Sequence, residues 1–263
     1  MIRPAALILL AAALLAGCGG PRNHSRAAIQ PTRGIPKGFG DARPHDWQGP
    51  SPNQLQVQGI DASRYQGNID WAATKRAGVR FAMLKATEGG DVADSAYLEN
   101  AAAARRAGIR VGAYHFYYFC TPPEQQAAWF IDHVPARSGD LPPILDIEWN
   151  HASRTCKREP DGPEVRAEVQ TFVDILARHY GQRPVIYTTP DFWRETQLAA
   201  IGNEDFWLRS VAGHPSQTLP GAHWTFWQYT GTGQVPGIRG PVDLNAFAGS
   251  QYAWASWLSS RAL

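Results

Sequence analysis

The chain has 263 residues, of which 44% are hydrophobic and 18% are charged. This balance excludes disordered and fibrous proteins, and the length is sufficient for one substantial hydrophobic core. The formal net charge is +2, but residues 1–56 carry a net +4, so the rest of the chain has a net charge of about −2. No basic run is interleaved with aromatic residues, and we therefore expect no nucleic-acid partner.

Residues 1–17 have an early Arg, an apolar run and small residues at the end, which predicts a secretory signal peptide. The sequence LAGC at positions 15–18 resembles a bacterial lipobox, so we expect acylation of Cys18 and a lipid anchor in a membrane. Gly19, in place of Asp, resembles the outer-membrane sorting pattern of Gram-negative bacteria. This predicts a cell-envelope protein that faces the periplasm. The alternative is a plain signal peptide followed by a chance Cys.

After the lipidated Cys, residues up to 56 are rich in Pro, Gly, Asn, Ser and Arg and show no apolar periodicity, which predicts a flexible linker over 18–56. The folded domain is predicted to occupy residues 57–263. Its two cysteines, Cys120 and Cys156, are an even pair in a chain directed to an oxidising compartment, which favours a disulfide. Neither has the spacing of a metal site, so we expect no metal.

From residue 57 onward, short β-rich runs alternate with helical patterns, which predicts parallel strands joined by helices. Eight strands are predicted, at 57–62, 80–86, 110–116, 143–148, 184–188, 206–210, 225–229 and 242–246. The last three follow one another too closely for full crossover helices. We therefore predict an α/β single domain, an irregular TIM-like barrel of about (β/α)5(β)3. An open doubly wound sheet is the competing architecture, but no Gly-rich phosphate loop follows the first strand.

Asp146 and Glu148 stand two residues apart in the fourth predicted strand, so both side chains leave the same face, with attachment points about 6 to 7 Å apart. Two carboxylates this close in an apolar site cannot both ionise at low cost. The pKa of one is therefore expected to rise until it stays protonated near neutral pH. Such an acid can protonate a glycosidic oxygen. The alternative is a solvated strand end with two surface acids.

Other predicted strand ends also carry polar and aromatic side chains. Asp61 lies at the first strand end, Lys85 and Glu88 at the second, and Asp243 at the last strand. A barrel brings its strand ends to one mouth, so we expect these groups to meet there. Aromatic residues suit the stacking of sugar rings, with core packing as the alternative for some of them; those at strand ends are Tyr65, Tyr114, Trp149, Tyr187, Trp207, Trp227 and Tyr229.

Six motifs occur in order along the domain. They are Gly59-Ile60-Asp61-Ala62-Ser63 with Gln66-Gly67, Lys85-Ala86-Thr87-Glu88-Gly89, Gly112-Ala113-Tyr114-His115-Phe116, Leu145-Asp146-Ile147-Glu148, Trp227-Gln228-Tyr229 and Val242-Asp243-Leu244-Asn245-Ala246-Phe247. In order and number they resemble the family 25 glycoside hydrolases, which are N-acetylmuramidases of the lysozyme class. The resemblance implies a modified barrel of roughly five βα units followed by three strands, with a long groove across the strand ends.

Carried over position by position, the resemblance implies Glu148 as the general acid, Asp146 as its partner, and Asp61 and Asp243 as flanking carboxylates. The expected substrate-binding residues, taken from these motifs and from the strand-end aromatics, are Lys85, Tyr114, Tyr187, Trp207, Gln228, Tyr229 and Asn245. The sixth strand departs from the family pattern. The family commonly continues as Trp-Leu-Ala-x-Tyr, whereas here Trp and Leu at 207–208 are followed by Arg, Ser and Val at 209–211. This departure affects one edge of the groove, and with it the preference for decorated or naked glycan.

The resemblance implies cleavage of the β-1,4 bond between N-acetylmuramic acid and N-acetylglucosamine with retained configuration. We expect a monomer and no cofactor. Glu148 would protonate the leaving oxygen and then activate water. Asp146 would either attack the anomeric carbon or orient the 2-acetamido group of the substrate to attack it. His115 lies between aromatic residues, with no other His at metal-ligand spacing, and is predicted to be a hydrogen-bonded barrel residue.

The expected partners are peptidoglycan glycan strands and, through Cys18, a membrane. Two other functions are compatible with parts of the sequence. One is a chitinase or another acetamido-sugar hydrolase that uses the same carboxylate chemistry. The other is a wall-binding lipoprotein without catalysis, which the retention of both Asp146 and Glu148 argues against, because binding alone does not require a perturbed acid.

Overall fold

The computed structural model describes residues 34–202 and 204–263, so the predicted signal peptide and Cys18 lie outside the described residues. Its strands are β1 (Gly40–Asp41), β2 (Gln58–Ala62), β3 (Phe81–Glu88), β4 (Val92–Ala93), β5 (Arg110–Phe116), β6 (Ile144–Asp146), β7 (Val185–Thr188), β8 (Asp205–Arg209), β9 (Phe226–Gln234) and β10 (Val242–Phe247). Its helices are α1 (Trp71–Ala77), α2 (Tyr97–Arg106), α3 (Pro123–His133), α4 (Gly162–Tyr180), α5 (Pro190–Glu195), α6 (Pro215–Thr218) and α7 (Gln251–Arg261). Within these ranges, no helix combines the length and apolar character needed to cross a bilayer.

Eight strands close into a ring in the order β2-β3-β5-β6-β7-β8-β9-β10, with β10 paired back to β2. Neighbours from β2 to β9 are parallel, whereas β10 runs antiparallel to both of its neighbours. Helices α1 to α5 follow the first five strands of the ring, and only the four-residue α6 lies between the last three. The predicted (β/α)5(β)3 barrel is therefore confirmed.

The predicted strand bounds differ from the observed ones by more than two residues only at the end of β9. That strand continues to Gln234 because β1 and β10 both pair with its extension. A smaller difference matters for the site: β6 ends at Asp146, so Glu148 lies just beyond the strand rather than in it. The backbone remains aligned there, since Ile147 N donates to Tyr187 O of β7 at 3.0 Å.

Helix α4 connects β6 to β7, and local sequence signals determine where it begins and ends. Asp161 caps its start by accepting a hydrogen bond from Glu164 N at 2.9 Å. Pro163 fits the first turn, where no backbone N–H is needed. Gly181 ends the helix in the left-handed region, at φ 71°, which favours glycine. The apolar repeat between Pro163 and Gly181 in the sequence predicts a helix over 163–180, and the observed helix begins one residue earlier and ends at the predicted residue. It leads the chain directly into β7.

Side chains inside the barrel change from apolar to polar along the strands. Alternate residues point inward, so β3 contributes Phe81 and Met83 and then Lys85, while β8 contributes Trp207 and then Arg209. The buried inner cluster consists of Val57, Phe81, Met83, Leu141, Ile144, Val185, Tyr187, Trp207, Phe226 and Phe247. The outward residues form a second apolar layer beneath the helices. The polar inward residues thus collect at one end of the ring, which we call the mouth.

The opposite end of the ring, which we call the floor, is covered by aromatic side chains of α7. Trp254 and Trp257 stack with ring centroids 5.6 Å apart. The Trp254 ring lies 5.5 Å from Phe81, and the Trp257 ring lies 5.2 Å from Phe226. Phe247 contacts both tryptophans. These rings extend the inner apolar cluster out to the C-terminal helix.

Residues 40–56 pack against the side of the barrel that lacks full helices. Strand β1 pairs with the extension of β9, and Asp41 Oδ1 accepts a hydrogen bond from Thr232 Oγ1 at 2.5 Å. The Trp47 ring meets Trp227 on the outer face of β9 at 5.1 Å. This packing differs from the flexible linker expected up to residue 56. The segment uses a two-residue strand and single side chains, which leave no periodic signal in the sequence.

Candidate active site

A pocket of about 240 Å³ at the mouth is lined by residues from all eight strands of the ring or from the turns that follow them. Six of its side chains belong to charged residue types, four acidic and two basic. The lining residues are Asp61, Ser63, Tyr65, Lys85, Tyr114, Phe116, Asp146, Glu148, Tyr187, Trp207, Arg209, Gln228 and Asp243. The strand ends therefore meet in one site, as the barrel requires.

The four predicted carboxylates lie in this pocket as two pairs. Asp61 and Asp243 are register partners on β2 and β10. Because β10 is antiparallel to its neighbours, it presents Asp243 from its amino end. Asp146 ends β6, and Glu148 follows two residues later on the same side, while Ile147 between them is fully buried in the outer apolar layer. The alternation predicted from the sequence is therefore present at this strand end.

Asp61 is fixed by two amide side chains. Gln228 Nε2 and Asn245 Nδ2 donate to its Oδ2 at 2.9 and 2.7 Å. Gln228 in turn accepts a hydrogen bond from the Tyr187 hydroxyl at 3.0 Å. Asn245 accepts one from the Trp207 indole N–H at 2.7 Å. Tyr187 and Trp207 thus hold the side-chain oxygens of the two amides. Their N–H groups therefore point toward the carboxylate of Asp61.

Burial raises the pKa of all four carboxyl groups. For Asp61 the burial is reinforced by the charge of Asp243, and for Asp146 by the charge of Glu148, so both pKa values lie well above the ordinary range. The pKa of Asp243 is raised by burial and partly offset by its hydrogen bond with Asp61. Burial raises the pKa of Glu148 to about 7, although the positive charge of Arg209 opposes the shift. The site therefore retains protons near neutral pH.

One carboxylate oxygen in the pocket has no protein partner. Asp146 is only 8% exposed, and its Oδ1 is buried without a hydrogen bond from any residue in the described ranges. Buried polar atoms are nearly always hydrogen-bonded, because leaving one unpaired costs about 1–3 kcal/mol. This oxygen is therefore available to a group that enters the pocket, either to accept a hydrogen bond from it or to attack it.

The sequence profile described as glycosyl hydrolases family 25 matches residues 60–238. This chain belongs to glycosyl hydrolase family 25. Lysozyme M1 of Streptomyces globisporus is 37% identical over 207 residues, which cover 74% of this chain and 68% of that protein. A family 25 glycosyl hydrolase from Bacillus anthracis has a TM-score of 0.74 at 32% identity, over 82% of this chain and 98% of its own. A bacterial lysozyme from Streptomyces coelicolor has a TM-score of 0.68 at 35% identity, over 78% and 97%.

Membership of family 25 confirms the resemblance predicted from the six motifs and makes the chain a glycoside hydrolase. Five of the seven predicted substrate-binding residues line the pocket of this family 25 barrel: Lys85, Tyr114, Tyr187, Trp207 and Gln228. A sixth, Asn245, is fully buried below the pocket, where its side chain donates a hydrogen bond to Asp61.

The seventh, Tyr229, lies outside the pocket, and its prediction as a substrate-binding residue is wrong. Its side chain faces the outer layer, where its hydroxyl donates to Gln58 Oε1 at 2.9 Å. The reason is strand alternation, because its neighbour Gln228 points inward. The same alternation turns Trp227 outward. Trp149 also lies away from the pocket and donates its indole N–H to Glu195 at 2.7 Å.

Arg209 is the principal residue of the pocket that the sequence-based prediction missed. Strand alternation could have identified it, since Arg209 stands two residues after Trp207 on the same strand and must share its inward face. Ser63 and Phe116, which also line the pocket, were missed although the same rule applies to them: each stands two residues after a predicted site residue, Asp61 and Tyr114.

Lys85 is held by a chain of polar side chains at the mouth of the family 25 barrel. Its Nζ pairs with Glu88, which also accepts a hydrogen bond from the Tyr118 hydroxyl at 2.6 Å. Asn150, in the loop after β6, donates to the same hydroxyl at 2.8 Å. Burial pushes the pKa of Glu88 up, but the hydrogen bonds from Lys85 and Tyr118 outweigh it and leave that pKa below its ordinary value. Glu88 is therefore ionised and keeps Lys85 in place.

The predicted disulfide is present between Cys120 and Cys156, with an S–S distance of 2.10 Å. It joins the turn after β5 to the loop between β6 and α4, the loop that carries Asn150 and follows Glu148. Next to it, Arg158 Nη1 donates to Phe119 O at 2.6 Å. This loop is thus fastened on the side of the pocket that bears the proposed acid.

His115 occupies the outward face of β5, where its Nδ1 lies 2.8 Å from Thr87 Oγ1 and its Nε2 lies 3.0 Å from Gln126 Oε1. Burial lowers its pKa to about 4, so the ring is neutral. The prediction of a hydrogen-bonded barrel residue is confirmed. Across residues 34–202 and 204–263, no cluster of three His, Cys, Asp or Glu side chains is arranged to hold a metal ion.

Proposed function

We propose that this protein is a lysozyme-type N-acetylmuramidase that cleaves the β-1,4 bond between N-acetylmuramic acid and N-acetylglucosamine in peptidoglycan, with retention of configuration. The observation that supports it is the pocket of four buried carboxyl groups with raised pKa values, set among Tyr and Trp rings at the mouth of a family 25 barrel. The name of lysozyme M1 and that of an N,O-diacetylmuramidase from Chalaropsis sp, 30% identical over 203 residues, support the same substrate.

In this proposal Glu148 is the general acid. With a pKa of about 7, it carries a proton near neutral pH and can deliver it to the leaving glycosidic oxygen. After the leaving group departs, the carboxylate of Glu148 removes a proton from the water that completes hydrolysis. Asp61 and Asp243 lie across the ring from Glu148 and bind the sugar that enters the pocket.

The role of Asp146 has two versions, both served by its unpaired Oδ1. With the shared proton on Glu148, Asp146 is ionised. Either its Oδ1 then attacks the anomeric carbon and forms a glycosyl-enzyme while the glycosidic C–O bond breaks and the leaving oxygen takes the proton of Glu148, or it accepts a hydrogen bond from the acetamido N–H and aligns the acetamido oxygen for the same displacement. The close pairing of Asp146 with Glu148 favours the second version.

A modified substrate separates the two versions. Glycan strands whose muramic acid residues lack the N-acetyl group have no acetamido oxygen, so we expect them to resist cleavage although N-acetylated strands are cut. Reducing ends measured on matched N-acetylated and de-N-acetylated strands provide the test. Cleavage of both at similar kcat would assign the nucleophile to Asp146 itself.

The activity is tested with purified protein and bacterial sacculi. We expect new reducing ends on N-acetylmuramic acid, identified by mass spectrometry of the soluble products. Glu148→Gln should lower kcat by about 10³-fold, because a positioned general acid contributes about 10² to 10⁴. Glu99→Gln, an exposed carboxyl on α2, is the matched control and should leave kcat unchanged. Undiminished release by Glu148→Gln would remove that residue from the role, and cleavage of chitin oligomers with inert sacculi would favour the chitinase alternative.

We further propose that the chain is a lipoprotein anchored through Cys18 in the outer membrane, with the barrel in the periplasm. The sequence LAGC at positions 15–18 supports this. Expression in a Gram-negative host with labelled fatty acid should give labelled protein in the outer-membrane fraction, and Cys18→Ala should abolish both the label and the fractionation. Unlabelled protein released in soluble form from the wild-type chain would show that residues 1–17 act as a plain signal peptide.

A further inference from the structure

Arg209 places a cation on the wall of the active-site pocket, at the carboxyl end of β8. Its backbone pairs with Gln228 of β9, and its side chain shares the inward face with Trp207. In the ring, β8 is two strands from β6, which precedes Glu148, and two strands from β10, which bears Asp243. The guanidinium therefore stands between the two carboxylate pairs, on the opposite side of the ring from Lys85 of β3.

The two cations of the pocket differ in how they are held. Lys85 forms an ion pair with Glu88 and lies 4.8 Å above the Phe116 ring. The side chain of Arg209 has no hydrogen bond or ion pair with any residue in the described ranges. The positive charge of Arg209 acts on Glu148 and Asp243 at a distance, and it opposes the rise in pKa that burial causes in each. A guanidinium has five N–H donors, and no residue in the described ranges accepts a hydrogen bond from those of Arg209.

Arg209 stands two residues after Trp207 on β8, so strand alternation turns its side chain into the pocket beside that ring. A guanidinium binds carboxylates through two parallel N–H···O bonds, which makes it selective for that group. Muramic acid differs from glucosamine by a lactyl ether that ends in a carboxyl group. That carboxyl is charged on naked strands, whereas on decorated strands it is joined to a peptide with carboxylates of its own.

We propose that Arg209 binds a carboxylate of the glycan strand, either the lactyl carboxylate of naked N-acetylmuramic acid or a carboxylate of the attached peptide. This rests on the muramidase function proposed above. Arg209 thereby makes the pocket selective for acidic glycan over neutral polymers of N-acetylglucosamine. The proposal concerns substrate binding, so it predicts an effect on KM rather than on the chemical step.

The experiment compares the wild type with Arg209→Gln on three substrates: naked strands freed of peptide, peptide-bearing strands, and naked strands whose carboxylates are converted to methylamides. At pH 5.5, below the pKa of Glu148, we expect Arg209→Gln to raise KM on a carboxylate-bearing substrate by about 10- to 100-fold, as for a lost charge-assisted hydrogen bond. We expect kcat to change by less than about threefold. The wild-type KM on the methylamide strands should rise to the level of the variant.

Two further variants serve as controls. Arg209→Lys keeps the charge and loses the planar fork, so its KM should fall between those of the wild type and Arg209→Gln. Arg178→Gln removes the same charge from an exposed position on α4 outside the pocket and should leave KM unchanged. Thermal unfolding of each variant shows whether the fold is intact.

The substrate arms identify the source of the carboxylate. A KM effect confined to naked strands assigns the lactyl group, and one confined to peptide-bearing strands assigns the peptide. Equal KM values for wild type and Arg209→Gln on both, or an equal loss on charged and methylamide strands, would overturn the inference while leaving the muramidase proposal in place. A wild type that releases no reducing ends from any of the three substrates would overturn both.

Discussion

At the residue scale, the raised pKa of Glu148, the acid proposed for catalysis, also affects the stability of the fold. Burial raises the pKa of Glu148 from 4.5 to about 7. The unfolded chain therefore releases this proton near pH 4.5, while the native chain retains it to about pH 7. Because the native state binds the extra proton across that interval, the contribution of this group to stability falls as the pH rises from about 4.5 to 7 and stays low above it.

Glu148→Gln removes the titrating group and keeps its shape, so it should stabilise the protein more at pH 8 than at pH 4. From the shift in pKa, the difference in the free energy of unfolding between the two pH values is up to about 3 kcal/mol. Urea unfolding of wild type and variant at both pH values measures it. An equal effect of Glu148→Gln at pH 4 and pH 8 would contradict the raised pKa.

Strand alternation explains both the success and the error of sequence-based site prediction. It correctly assigned Asp146 and Glu148 to one side of β6. Applied to β9, the same rule assigns Gln228 and Tyr229 to opposite faces of the strand. Tyr229 was selected only because it is an aromatic residue at a strand end, and it faces away from the pocket. The hydrogen bonds by which Asn245 fixes Asp61 cross between strands far apart in sequence, and no local pattern contains them.

At the scale of elements, the C-terminal helix has a function in the fold that its sequence hardly reveals. Tyr252 on α7 is 89% exposed, whereas Trp254 packs on Phe81 and Phe247 at the floor of the barrel. Replacing Trp254 removes part of the inner cluster, while replacing Tyr252 removes nothing that packs on it. The two aromatic residues therefore form a matched pair on one helix.

We expect Trp254→Ala to lower the free energy of unfolding by about 2–4 kcal/mol, somewhat below the usual range for a fully buried Trp because this ring is partly exposed. Tyr252→Ala should change it by less than about 0.5 kcal/mol. Chemical denaturation of both variants gives the comparison. Similar losses in the two would show that α7 contributes helix stability rather than a cover for the barrel.

The elements that sequence patterns predicted are those with local periodicity, and the ones they missed depend on distant partners. The eight ring strands and α4 carry apolar repeats, turn residues and caps, and they occur where predicted. Strand β1 has two residues and exists because β9 extends far enough to pair with it. Trp47 likewise became part of the fold only through its contact with Trp227. These features follow from the tertiary structure and cannot be derived from the segment alone.

At the scale of the whole molecule, the barrel has two unlike ends, and the gradient from apolar to polar inside it follows from how the ring closes. The five βα units form one continuous wall of helices. The remaining wall, formed by β8 to β10, is covered by residues 40–56 and by α6 rather than by crossover helices. The sequence predicted this asymmetry from the short spacing of the last three strands, but not the segment that compensates for it.

In the part of the chain that the structure describes, the inner apolar cluster and the aromatic rings of α7 close the floor of the barrel beneath the pocket. The sugar, the leaving group and the hydrolytic water therefore all pass through the mouth of the barrel, one after another. While the departing half of the glycan remains in place, it shields the anomeric carbon from solvent. In the retaining hydrolysis proposed above, we therefore expect water to reach that carbon through the mouth, after the departing half has left.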